Sequence, residues 1–242
     1  MTELSRKSAK EFATTILPLY CGPHVRIRID FSDQEYTVSK GLLCAESSYF
    51  SAILEKHCPG SQQQTATLDR VEGIVSGQSV EALIQWLYLR MVIFDIEDPG
   101  DQISAAIELV RLADMCNVSG LEPQMARYIK KILIANPNPQ SNHFWRHVDT
   151  NTYCLTSQHI AAASLLPQKH PVRRILAAAS VEGYLRDQNH KFAEETQEYP
   201  SFGADLLWEV GMALDEIKST SKVAFKDPIS GQRAEIKAGR EM

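Results

Sequence analysis

Residues 24–50 read HVRIRIDFSDQEYTVSKGLLCAESSYF, and the period of the apolar residues changes midway through them. Val25, Ile27 and Ile29 alternate with His24, Arg26, Arg28 and Asp30, which is the pattern of a strand with one buried face. Phe31-Ser32-Asp33-Gln34 is a short polar turn, after which Tyr36 and Val38 alternate in the same way. The two runs together predict a hairpin. Leu42 and Leu43, then Tyr49, Phe50, Ile53 and Leu54 after a cap at Ser47 or Ser48, have the three-to-four spacing of short amphipathic helices. A small sheet feeding directly into helices makes this an α+β chain.

Further along, Thr65 to Leu68 is a candidate third strand. Val80, Leu83, Ile84, Leu87 and Tyr88 form one wide apolar stripe, which predicts a helix over 79–90. The acidic loop Asp95 to Asp101 follows; it lacks the ligand order and closing Glu of an EF-hand and reads as a solvated connection. Ile103, Ile107, Val110, Leu112, Ala113 and Cys116 then recur at helical spacing. Ser119-Gly120-Leu121-Glu122 has the S-x-x-E pattern of a capping box, and Leu121, Met125, Tyr128, Ile129, Ile132 and Leu133 carry the apolar face beyond it.

Pro137 and Pro139 stop that helix, so residues 135–142 read as a linker. Residues 143–217 read as a compact all-α unit: Thr156 caps a helix with Ile160 and Leu165, Pro171 suits a first turn, and Leu206, Val210, Leu214 and Ile217 form a last stripe. Trp145 and Trp208 are expected to supply large buried surfaces there. Residues 1–20 are expected to form a helix through Phe12, Ala13, Ile16, Leu17 and Tyr20, which either packs on a second copy or folds back on its own domain. Residues 218–242, with 6 basic and 3 acidic side chains and few apolar ones, read as a flexible basic tail.

Composition narrows the function. The 242 residues are 44% hydrophobic and 23% charged, an ordinary globular balance. A net charge of -5 argues against nucleic acid as a general partner. No apolar run approaches the roughly 18 residues of a bilayer span, so no membrane role is expected. Five widely spaced cysteines suit reduced thiols, hence a nuclear or cytoplasmic setting. His143 and His147 share a helical face, but no C-x-x-C pair or zincin Glu accompanies them. Neither a G-x-S-x-G elbow nor a phosphate-binding glycine loop occurs, and Cys44 and Cys116 fall on apolar faces. The expectation is a protein with no catalytic residue, no metal and no cofactor.

Cys21 to Leu133 resembles a BTB/POZ domain, especially the divergent BTB proteins of filamentous fungi. The resemblance rests on Val38-Ser39-Lys40-Gly41-Leu42-Leu43-Cys44, Ser47-Ser48-Tyr49-Phe50, Trp86-Leu87-Tyr88, and Leu109 to Asp114 with Val118 and Leu121. It implies a BTB/POZ fold over residues 21–134, with a small β-sheet flanked by α-helices, followed by a helical extension similar in position to those of adaptor proteins. It also implies a non-catalytic protein-protein interaction module, a scaffold or adaptor that engages itself as a homodimer or another protein partner. The family's facing Asp and basic residue at a dimer interface correspond to His24 and Lys40, so with Phe12 and Ile16 these are the candidate dimer residues. Replacing Asp by His removes an attractive pair and counts against that particular dimer. Two alternative roles follow from the resemblance: substrate adaptor of a BTB-specific cullin ubiquitin ligase, and subunit of a chromatin-associated corepressor. For the cullin, the candidate surface is Ile53, His57 and Cys58; Cys58-Pro59-Gly60 stands where adaptors commonly carry apolar-x-Glu, and the acidic residue is absent.

Overall fold

The structure is a computed structural model, and it describes residues 17–30, 32–55, 64–139, 149–214 and 222–237. It divides into two compact units, residues 1–95 with 108–121, and residues 96–107 with 122–242.

In the first unit, β1 (His24–Ile29) and β2 (Glu35–Ser39) pair antiparallel, with His24 opposite Ser39 and Ile27 opposite Tyr36. The third strand, β3 (Thr65–Leu68), lies parallel to β1 on its other edge, giving the order β2-β1-β3. The alternation read in the sequence becomes burial: Val25, Ile27, Ile29, Val38, Ala66 and Leu68 are inside. A short helix α1 (Leu17–Tyr20) precedes the sheet, and α2 (Lys40–Glu46), α3 (Ser48–Glu55) and α4 (Gly77–Leu89) supply the other core face through Leu42, Leu43, Phe50, Leu54, Leu83 and Leu87. Ser47 divides α2 from α3: its extended backbone ends the first helix and its Oγ accepts the Phe50 N–H at 3.1 Å.

The start of α4 is fixed by a reciprocal cap between Ser76 and Ser79. Its end is unusual, because Arg90 rather than a glycine takes the left-handed conformation, at φ 54°. The arginine side chain is held there by an ion pair with Glu46 and by stacking 5.7 Å from the centre of the Trp86 ring, which offsets the cost of a positive φ.

The helix α5 (Pro99–Met115) contributes residues to both units, and Asp98 caps it by accepting the Asp101 N–H at 2.9 Å. That contact gives a structural role to the acidic loop. In the second unit come α6 (Glu122–Ala135), α7 (Ser157–Ser164), α8 (Pro171–Arg186), α9 (Ala193–Glu198) and α10 (Pro200–Ala213). The central helix is α8, flanked by α6, α7 and α10. Alanines 177, 178 and 179 are all buried on it, so neighbouring backbones approach closely.

Three expectations need correction. Compact packing does not divide at the 135–142 linker: α6 belongs with α8, because Met125, Ile129, Ile132 and Leu133 are buried within the second unit. The region after 217 is not simply a flexible tail, and two strands follow the helices of the 143–217 unit. Lys222–Lys226 and Arg233–Lys237 form an antiparallel hairpin, β4 and β5, and Ile229 in its turn is 1% exposed. Among the described side chains, Ile229 and Asp227 are buried in a segment whose composition read as too polar to order. Finally, Trp208 is 62% exposed and supplies little buried surface, whereas Trp145 lies outside the described residues.

Candidate protein-interaction surfaces

Lys40 opens α2, and its Nζ donates to Gln64 Oε1 at 2.7 Å; Gln64 Nε2 in turn donates to the Leu54 carbonyl at 3.3 Å. This short chain ties α2, β3 and α3 together, so the ammonium is directed at Gln64 and not at His24. His24 is exposed at the start of β1, next to the rung in which Lys40 N–H donates to the Pro23 carbonyl at 2.8 Å. Ile53 is half-buried on α3, with Phe50 and Leu54 of the same helix fully inside. Phe12, Ile16, His57 and Cys58 lie outside the described residues.

A different surface emerges just past α4. Leu89, Met91 and Ile93 are 60%, 43% and 68% exposed, while Val92 between them is buried. The segment after α4 has no regular structure, and the Ile93 N–H donates to Gln85 Oε1 at 2.9 Å. Three large apolar side chains on one short stretch are more than scattered surface hydrophobics. The helical stripe ends at Tyr88, so helical periodicity does not reach these residues. The available signal was the run Leu89 to Phe94, apolar except for Arg90 and continuing beyond the helical stripe.

Two clusters in the second unit have the elements of catalytic sites. Ser104 Oγ lies 2.8 Å from His159 Nε2, the distance of a nucleophile and its base. The other ring nitrogen, Nδ1, accepts the Thr156 N–H at 3.0 Å, which places the neutral ring's proton on Nε2. His159 therefore has no lone pair with which to take the serine proton. It fixes the start of α7 and reaches across to α5, and burial holds its pKa below the ordinary histidine value.

The second cluster lines a cavity of about 270 Å³ with Asp149, His190, Lys191, Arg186 and Asp187 among its walls. Burial pushes the Asp149 carboxyl up to about 6, with the Glu182 charge adding to the rise and a Thr152 hydrogen bond opposing it. Gly183 is needed beside it, since a Cβ there would stand 2.5 Å from Asp149 Oδ2. The Lys191 ammonium donates to the Thr152 carbonyl at 2.7 Å, and burial lowers its pKa. Asp149 Oδ1 accepts the Asn151 N–H at 3.1 Å, so both charged groups are spent on shaping the loop at 149–152. Among the described residues no group of His, Cys, Asp and Glu is arranged to hold a metal ion.

Residues 23–133 match the family model described as BTB/POZ domain, and no curated protein matches the chain. The match starts at β1 and ends within α6, and it contains the mixed sheet, the helices around it and the exposed Leu89, Met91 and Ile93. These residues have the BTB/POZ fold, whose general use is protein-protein interaction.

Proposed function

We propose that the protein is a non-catalytic BTB scaffold or adaptor that engages itself or a partner protein through its BTB region. The observation that carries this reading is the exposed apolar row Leu89, Met91 and Ile93 within the matched residues. Apolar area of this kind is stabilised by removal from water, about 25 cal/mol per Å² buried. The test is light scattering coupled to size exclusion over a concentration series, together with capture of any identified partner, for the full chain and for Ile93→Asp. Self-association or capture that falls at least about tenfold in Ile93→Asp, at unchanged helical circular dichroism, supports the reading. Unchanged association sinks this surface assignment.

Recruitment to a BTB-specific cullin is the second reading, favoured by the partial exposure of Ile53 on α3, whose buried residues are Phe50 and Leu54. Ile53→Asp abolishes capture of a purified cullin in this reading and leaves it intact otherwise.

A further inference from the structure

Arg127 and Lys130 stand three residues apart on α6 and so occupy one face of it. Lys169 precedes α8, and Arg174 lies in that helix's first turns. These four cations line a single groove of about 300 Å³. Its carboxylate is Glu209 of α10, already engaged by Arg174, whose Nε and Nη2 both lie 2.9 Å from Glu209 Oε1. Arg127 Nε donates to the Pro123 carbonyl at 3.0 Å and Lys130 Nζ to the Pro228 carbonyl at 3.2 Å. Those neutral acceptors aim the side chains without cancelling their charge. Among the described residues, Arg127, Lys130 and Lys169 are in no ion pair, so the groove is locally basic in a chain of net charge -5.

The helix end contributes little to this field. The first free N–H groups of α8 are partly served by the His170 ring, which accepts the Val172 N–H at 3.2 Å. The charge therefore comes from side chains, and between them Ile175 and Ala178 give the groove an apolar floor.

We propose that this groove between α6 and α8 docks an acidic peptide segment of a partner protein. Carboxylates of the peptide pair with Arg127, Lys130 and Lys169, and one aliphatic side chain between them covers Ile175. Charge complementarity selects the sign of the ligand, and the apolar floor selects a peptide. A phosphate backbone is the poorer fit, because duplex binders spread their cations along many phosphates and gain nothing from an aliphatic floor.

The probe is a fluorescein-labelled, capped pentapeptide of glutamates flanking one leucine, titrated against the full chain by fluorescence anisotropy. Saturable binding is expected. It weakens at least about tenfold in Arg127→Glu/Lys130→Glu and likewise in Lys169→Glu, whose side chain is exposed. Lys131→Glu, on α6 but outside the groove, leaves binding within about twofold. Ile93→Asp, which breaks the proposed BTB contact, also leaves it unchanged, so the two assignments fail separately. Absence of binding, equal weakening by Lys131→Glu, retention by the groove variants, equal binding of an all-glutamate peptide, or tighter binding of a short DNA duplex would each overturn the proposal.

Discussion

The two units solve the problem of burying polar groups in opposite ways. In the first, the described buried polar residues are three serines, Ser39, Ser47 and Ser79. In the second, Arg173, Glu182, Glu195, Glu209 and Asp227 are buried together with His159, His170 and His190. A sheet ties its strands to one another through backbone bonds, so the first unit buries only small hydroxyls and leaves its charged links, Lys40 to Gln64 and Arg90 to Glu46, partly exposed. Helices spend their backbone bonds internally, which leaves the links between helices and loops to side chains. Arg173 shows the result: Nε donates to Asp205 at 2.8 Å, and its Nη atoms donate to the carbonyls of Leu166 and Ser201, both at 3.0 Å.

The largest effect expected from this contrast comes from Arg173→Met, which leaves Asp205 and two carbonyls without their donor. Breaking a buried pair on one side costs about 3–5 kcal/mol. Urea unfolding of the full chain, with hydrogen exchange resolved by segment, should show protection lost over 157–213 first and the 24–89 region less affected. Adding Asp205→Leu should recover part of the loss, because the orphaned carboxylate goes with it. If Arg173→Met leaves exchange over α7 to α10 unchanged, the buried charges are not what holds these helices.

Acidity should separate the units next. Asp149 is protonated more readily in the folded chain, its carboxyl standing at about 6 against an ordinary 3.8. Its contribution is therefore fully present below the ordinary value and is lost as pH rises through 6. His159 and His190 act in the other direction: burial holds them below the ordinary 6.5, so their contribution is present above 6.5 and lost as pH falls. Asp149→Asn keeps an oxygen for the Asn151 N–H and removes the first trend. The variant should gain up to about 3 kcal/mol above pH 6 and then lose stability on acidification, following His159 and His190. A variant that tracks the wild type across this range would show that Asp149 ionises freely.

A smaller effect is expected at the hairpin. Asn151 Nδ2 donates to both Asp227 oxygens, at 3.1 and 3.2 Å, and Ser230 Oγ and the Ile229 N–H complete the carboxylate's partners. Asn151→Ala removes one donor from a buried charge, a cost of about 1–3 kcal/mol, and should speed exchange over 222–237 while 171–186 stays protected. Equal exchange in both proteins would mean that the Asn151 contact does not secure the turn.

The sequence made the first unit legible because its core is written in periodicity. Alternation at Val25, Ile27 and Ile29 and the stripe from Val80 to Tyr88 each have one simple solution, and both were realised. The hairpin at 222–237 was hidden for the complementary reason. Among the described side chains its buried members are Ile229 and Asp227, whose partner Asn151 lies 76 residues earlier, and no local pattern carries a contact of that range. The groove at Arg127, Lys130, Lys169 and Arg174 was equally hidden, since α6 supplies two of its cations and the start of α8 with the residue before its cap supplies the other two. The exposed row at Leu89, Met91 and Ile93 was legible as an apolar run, but which side faced water was decided only when Val92 turned inward.

Trp208 is the sharpest instance and should give the smallest effect. On α10 it falls one helical turn from Met212 and beside Leu207, and all three are exposed, while Leu206 and Val210 on the opposite phase are buried. An apolar stripe on a helix is wide enough to be read with either side inward, and the larger residue is not always the buried one. Trp208→Ser should therefore shift stability within about 0.5 kcal/mol, the usual range for a surface position. Trp86, 3% exposed and stacked beneath Arg90, should cost about 3–5 kcal/mol as Trp86→Ala. Matched thermal melts of the two variants decide the point: comparable losses would mean that the α10 face is covered in solution, by a second copy or by another part of the chain, and a concentration series would separate those two.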